Sequence, residues 1–202
     1  MERTIVLPAP TITGGMPLMD ALRARHSTRE YSSKDLTLNQ LSDLLWAAFG
    51  MNRADAGTGM GTRGSHTAPT ARNWQEIDVY VARADGLYLY EPHGHVLQGV
   101  VAKDIRPYTA HPMQPWVAEV PTVLIYVADL GRMDGADDWD KNVFPWTDTA
   151  FLAENVYLYC ASAGLATVIR AMFDRAALAQ AMQLWPEQLP TLSQPVGYAA
   201  TS

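Results

Sequence analysis

The chain has a single cysteine, Cys160. No disulfide can form within it, and no cysteine-based metal site either. Cys160 falls in an apolar helical pattern and reads as a small core hydrophobe, not as a nucleophile. No apolar run is long enough to span a membrane. Residues 1–15 lack the charged-then-apolar pattern of a signal peptide. The expected location is therefore cytoplasmic, or periplasmic had a leader been removed. Basic residues are in the minority, with 15 Lys and Arg against 21 Asp and Glu for a net charge of -6. That balance speaks against nonspecific nucleic-acid binding. The five histidines have no metal-like spacing. His93 and His95 read as part of a solvated turn, so no metal is expected. There is no Gly-x-Gly-x-x-Gly after a predicted strand and no Gly-Lys-Ser/Thr, which excludes a dinucleotide-binding Rossmann unit and a P-loop. No internal repeat or low-complexity segment occurs.

What is present suits one globular domain: 202 residues, 48% hydrophobic and 18% charged. Residues 1–16, with Pro8, Pro10, Gly14 and Gly15, are expected to form an extended arm ahead of a single domain over 17–202. Leu18, Ala21, Leu22 and Arg25 fall at i, i+3, i+4 and i+7 behind Pro17 and predict a short helix. A capping box, Thr37 to Gln40, opens a second helix with Leu38, Leu41, Leu44, Leu45, Ala48 and Phe49 as its apolar stripe and Gly50 as its stop. Strands are predicted over 76–83 and 87–90, joined by an Asp-Gly turn. Further strands are predicted over 121–128, 166–172 and 192–199. The longest helix is expected over 146–163, ended by Gly164, and a short one follows Asp174. Residues 131–141 read as an acidic loop. This order is not a clean β-α-β alternation, so the expected class is α+β, a mostly antiparallel sheet flanked by helices.

Two stretches stand out chemically. The first packs Arg23, Arg25, His26, Ser27, Thr28, Arg29 and Tyr31 around the end of the first helix. One reading is simple capping, since cations suit a helix C-terminus. The other is an anion grip, because the guanidinium fork matches phosphate oxygens and serine adds a hydroxyl donor. The second stretch is Pro69-Thr70-Ala71-Arg72-Asn73-Trp74-Gln75. In an extended chain the amides of Asn73 and Gln75 point to one side and could read the edge of a planar heterocycle. A turn before a strand is the alternative. The glycine-rich residues 52–67, with Arg53 and Arg63, read as a surface loop.

Together these stretches resemble the nitroreductase family of FMN-dependent oxidoreductases. Arg25-His26-Ser27-Thr28-Arg29 is similar to the family's Arg-x-Ser-x-Arg/Lys motif. Pro69-Thr70-Ala71-x-Asn73-x-Gln75 is similar to its Pro-Ser-x-x-Asn-x-Gln motif, with threonine in place of serine. Glu154-Asn155-Val156-Tyr157-Leu158 leading to Gly164-Leu165-Ala166-Thr167 resembles its central helix and the following turn. Gln194-Pro195-Val196-Gly197-Tyr198 resembles its last strand. Leu41 to Gly50 and Gly86-Leu87-Tyr88-x-Tyr90 look like the branch near azoline-type dehydrogenases. The resemblance implies an α+β sandwich working as a homodimer with FMN at the interface. It implies that Arg25, Ser27 and Arg29 hold phosphate and ribityl, with His26 near the ring. Asn73 and Gln75 would face the ring or substrate. Pro69, Thr70 and Ala71 would belong to the same site, Thr70 and Ala71 reaching it from the partner. The backbone around Gly164, Leu165 and Ala166 would lie near the ring. NADH or NADPH would be the electron donor, and a nitroaromatic or quinone a representative small acceptor; the alternative is a flavin-binding module without turnover, for storage or sensing. The family's C-terminal basic residue has no counterpart in Ala200-Thr201-Ser202, which leaves Arg170 or Arg63 as candidates to complete the phosphate site. Tyr108, Trp116, Trp139 and Trp146, expected in loops, are candidates to line the substrate pocket.

Overall fold

The structure is a computed structural model that describes residues 3–53 and 64–200. Its strands are β1 (Thr4–Val6), β2 (Met51–Arg53), β3 (Ser65–His66), β4 (Ile77–Arg83), β5 (Gly86–Glu91), β6 (Val96–Val101), β7 (Thr122–Asp129), β8 (Ala166–Thr167) and β9 (Gln188–Gly197). Seven of them form one sheet in the order β1-β6-β5-β4-β7-β9-β8, and β2 pairs with β3 separately. All of the pairings are antiparallel. The helices are α1 (Leu18–Ala24), α2 (Leu38–Phe49), α3 (Asp138–Ala163) and α4 (Arg175–Met182). The α+β expectation holds.

Strand β7 shows why its sequence is apolar throughout. Leu124, Tyr126 and Ala128 point into the core shared with α2 and α3, and Val123, Ile125 and Val127 into a second core that includes Leu178 and Met182 of α4. A strand covered on both faces has no polar alternation to show. Fully burying each such side chain contributes about 1.5–3 kcal/mol.

The capping box of α2 forms as expected: Gln40 N–H donates to Thr37 Oγ1 at 3.2 Å, and Thr37 N–H to Gln40 Oε1 at 3.0 Å. Leu41, Leu44, Leu45, Ala48 and Phe49 are buried, whereas Leu38 at the helix start is exposed. Gly50 ends this helix for want of room, not for a left-handed backbone. Its φ is -71°, and a Cβ there would stand 2.7 Å from Trp46 Cα.

Helix α3 begins eight residues before the expected Trp146. Asp137 caps it through a box with Asp140, whose N–H donates to Asp137 Oδ1 at 2.8 Å. Pro145 lies inside the helix and removes one backbone donor, which a purely local reading takes for a boundary. The supposed acidic loop over 131–141 is therefore partly a helix start, and Trp139 and Trp146 are helical, not loop, residues. The strand expected over 166–172 stops at Thr167, because Ile169 N–H turns away to the Tyr157 hydroxyl at 3.0 Å.

The N-terminal residues are docked on the fold. β1 pairs with β6, Leu7 is buried, and Ser42 Oγ donates to Pro8 O at 2.6 Å. In α1 only Ala21 is buried. Leu18, Met19 and Leu22 stand 63%, 74% and 45% exposed, an apolar face left open among the described residues.

Candidate functional site

The basic stretch runs off the end of α1, where Arg25 is the C-cap. It lies along the corner between α3 and β8. Thr28 N–H donates to Thr167 O at 3.0 Å, and Ser32 N–H to Tyr198 O at 2.9 Å. The Ser27 and Tyr157 hydroxyls are 2.9 Å apart. Tyr157 already accepts from Ile169 N–H, so its own proton can go to Ser27 Oγ, leaving the serine proton for a ligand. Arg25 is half-buried, its guanidinium 5.4 Å from the centre of the Tyr157 ring. His26 is exposed with Nδ1 2.8 Å from Ala24 O. Arg29 is exposed on the rim of a concavity of about 130 Å³ that includes Tyr31 and Trp116. Among the described residues neither Arg25 nor Arg29 is paired with a carboxylate, whereas Arg23 is held by Asp20 at 2.8 Å.

The same corner holds the third predicted group. Gly164 ends α3 in the left-handed conformation, φ +67°, which glycine adopts without strain. Leu165 N–H donates to Cys160 O, and Ala166 pairs with Gly197. The structure thus brings Arg25, His26, Ser27 and Arg29 beside the turn of Gly164, Leu165 and Ala166.

The stretch 69–75 is not extended. It forms a tight turn in which Arg72, Asn73 and Gln75 have φ of +48°, +57° and +52°. Such values cost energy for residues with a Cβ and persist only where other contacts impose them. Here Ala71 N–H donates to Asp148 Oδ2 at 2.7 Å, Gln75 N–H to Thr70 Oγ1 at 3.2 Å, and Arg132 to Gln75 O at 3.1 Å. The Gln75 side chain is buried, and its Nε2 donates to Asn73 Oδ1 and to Gly64 O, both at 2.9 Å. Gln75 therefore orients Asn73, while Asn73 stands exposed. Pro69, Thr70, Asn73 and Gln75 line a concavity of about 190 Å³ with His66 and Arg53.

Among the described residues the two stretches line different concavities, Arg29 and Tyr31 one and Pro69, Thr70, Asn73 and Gln75 another. Ser27 is fastened to Tyr157 and Ala71 to Asp148. These anchors are nine positions apart on α3, about two and a half turns and about 13 Å along the axis. They face opposite sides of the helix. A further concavity, about 470 Å³ between residues 11–15 and α3, contains none of the predicted site residues.

Arg170 is not available for phosphate. Its guanidinium is buried and donates to Thr109 O at 2.8 Å, Gln114 Oε1 at 2.8 Å and Met172 O at 2.9 Å. Arg63, the other candidate, lies outside the described residues, as does most of the glycine-rich loop. Of the aromatics expected to line a pocket, Trp116 stacks on Tyr31 at 5.5 Å and Trp146, on α3, packs under Arg175. The sequence reading missed Tyr157 as the anchor of Ser27, and Asp148 and Arg132 as supports of the 69–75 turn. Each acts on a residue far away in the chain, and no local pattern marks such a pairing. Among the described residues, no group of three or more His, Cys, Asp and Glu is placed to hold a metal, and no helix is long and apolar enough to cross a membrane.

A model of the nitroreductase family matches residues 22–198, which takes in both stretches, α3 and the last strand. The chain belongs to the nitroreductase family. A curated protein of Methanocaldococcus jannaschii, provisionally named a nitroreductase, is 30% identical over 205 residues that cover 98% of each chain. A solved structure from Ralstonia eutropha, also provisionally named a nitroreductase, is 44% identical. It superposes with a TM-score of 0.89 over 99% of this chain and 91% of that one. A chain of the Escherichia coli microcin synthetase complex is 15% identical, with a TM-score of 0.73 over 98% of this chain and 79% of that one, a likeness of fold. Nitroreductase membership agrees with the order of the motifs along the chain and with the α3–β8 corner on which the first and third converge.

Proposed function

We propose that this chain is an FMN-dependent oxidoreductase that takes electrons from NADH or NADPH and passes them to a small acceptor such as a nitroaromatic or quinone. The observation that carries this reading is a family chain presenting two guanidinium groups, Arg25 and Arg29, without carboxylate partners among the described residues, on either side of a hydroxyl fixed by Tyr157. That donor set suits a phosphate: two forked cations and a hydroxyl proton. Bound there, FMN would supply the two-electron redox chemistry, which the chain's own side chains lack. Arg25, Ser27 and Arg29 would grip its phosphate and ribityl chain, with His26 and the backbone of Gly164, Leu165 and Ala166 nearby. Positive charge beside the cofactor favours its electron-rich form.

The ring-edge contacts would come from Asn73, oriented by Gln75, and from the backbone and side chains of Pro69, Thr70 and Ala71. Because these residues lie across α3 from Ser27, we assign them to the partner copy of a homodimer. The uncovered Leu18, Met19 and Leu22 on α1 supply apolar surface for that association. Location in the cytoplasm and a domain over residues 17–202, with the preceding arm joined to its sheet through β1, complete the proposal.

The test is turnover. FMN-loaded protein should oxidise NADH or NADPH when a quinone or nitroaromatic is present, with parallel lines in the double-reciprocal plots of a ping-pong scheme. No oxidation of either donor across both acceptor classes would overturn it.

A further inference from the structure

Beneath the turn that carries Asn73, two carboxyl groups are buried together. Glu76 is fully inaccessible and Asp148 is 1% exposed. Asp148, on α3, accepts the Ala71 N–H at 2.7 Å. Glu76 immediately precedes β4, and its backbone carbonyl accepts from Asp129 N–H at 2.8 Å, so the sheet fixes its position. With both side chains ionised, neither carboxylate oxygen of Glu76 has a donor. One proton placed between the two groups supplies the missing hydrogen bond. Besides Asp148, the charged group that acts on Glu76 is the Arg132 cation, after β7, which is already committed to Asp78 at 2.6 Å and to Gln75 O. The neighbouring Thr147 hydroxyl donates to Phe144 O at 3.0 Å.

We propose that Glu76 is a positioning residue: it holds a proton shared with Asp148, and so keeps Asp148 as the single anion that anchors Ala71 N–H and presents Asn73. Two carboxylates in contact away from water cannot both stay charged, because each raises the other's cost of ionisation. Burial first, and the neighbouring Asp148 charge after it, push the Glu76 carboxyl up to about 7. Burial raises Asp148 as well, against the pull of the Ala71 N–H. Above that range the second charge drives the pair apart. The Ala71 anchor then loosens, and with it a turn that holds three non-glycine residues at positive φ.

The experiment uses the full chain as purified and needs no flavin, so its failure is distinct from failure of the FMN reading. Amide hydrogen exchange over residues 70–76, corrected for intrinsic pH dependence, is measured with the infrared carbonyl band of a protonated carboxyl. Between about pH 6 and about pH 8.5 the wild-type band should vanish and opening of the turn should rise about tenfold or more. Glu76→Gln, whose amide donates the same bond without titrating, should exchange slowly at both values. Exchange in wild type that does not change with pH, or a missing protonated-carboxyl band at the lower pH, would overturn the proposal. So would Glu76→Gln following the wild-type pH profile. Should that variant fail to fold, the two wild-type measurements decide.

Discussion

Ser27 and Ala71 are fastened to opposite sides of one helix. The serine hydroxyl lies 2.9 Å from Tyr157, and the alanine N–H 2.7 Å from Asp148, two and a half turns earlier on α3 by about 3.6 residues per turn. On the proposed reading, a phosphate grip and a ring-edge reader so placed would serve one ligand where two copies of the chain meet.

This arrangement predicts complementation. The Arg25→Ala/Arg29→Ala double variant and an Asn73→Ala variant damage different halves of the site. Each homodimer should bind FMN weakly. Mixed after mild dissociation, they should give heterodimers with one intact site of the two. Flavin retained on a tag-purified heterodimer checks this. Retention no better than the sum of the parents would place both halves of each site on one chain.

The double arginine variant should also lose flavin while remaining folded, since both side chains reach solvent and Arg29 is exposed. Charge-assisted hydrogen bonds contribute about 1.5–3 kcal/mol each, so affinity should fall at least about tenfold. Titration of FMN fluorescence gives the change, and circular dichroism checks the fold. Unchanged affinity would return the basic stretch to helix capping.

Arg170 should behave in the opposite way. Its guanidinium satisfies Thr109 O, Met172 O and Gln114 Oε1 inside the protein. Arg170→Met should cost about 2–4 kcal/mol in urea unfolding, because it strands buried acceptors. Arg170→Lys should recover little of that, having no planar fork. Any flavin loss should track unfolding.

The N-terminal arm should loosen in acid. Ser42 Oγ spends its proton on Pro8 O at 2.6 Å, so the network assigns the hydrogen of His95 to Nε2, 2.7 Å from Ser42. Nδ1 then accepts from the Tyr90 hydroxyl at 2.9 Å. Burial lowers the His95 pKa below its ordinary 6.5. A histidine depressed in the folded state stabilises above its unfolded pKa, and that contribution is lost as pH falls through the folded value. Limited proteolysis of residues 7–16 should therefore quicken below about pH 6. His95→Gln should remove the pH dependence.

The local signals in the sequence proved readable. Thr37 and Gln40 announce α2, Asp174 announces α4, and the alternating residues of β4 announce a strand, because each is decided by near neighbours. The order of the motifs gave the family and, with it, the α+β sandwich. What could not be read is imposed from a distance. Pro145 hides the first turns of α3, whose capping box at Asp137 and Asp140 overrides it. The sequence leaves residues 71–75 open between an extended run and a turn, and Asp148, 77 residues away, helps hold the turn at positive φ. Arg170 looks like a free cation until the carbonyls of Thr109 and Met172 close around it.

The most direct measurement is the absorbance spectrum of the purified protein, loaded with FMN if needed, before and after anaerobic NADH and then NADPH. A flavin spectrum that bleaches with one of these donors is the predicted result. No flavin bound after reconstitution, or a bound flavin that neither donor bleaches, would contradict the account.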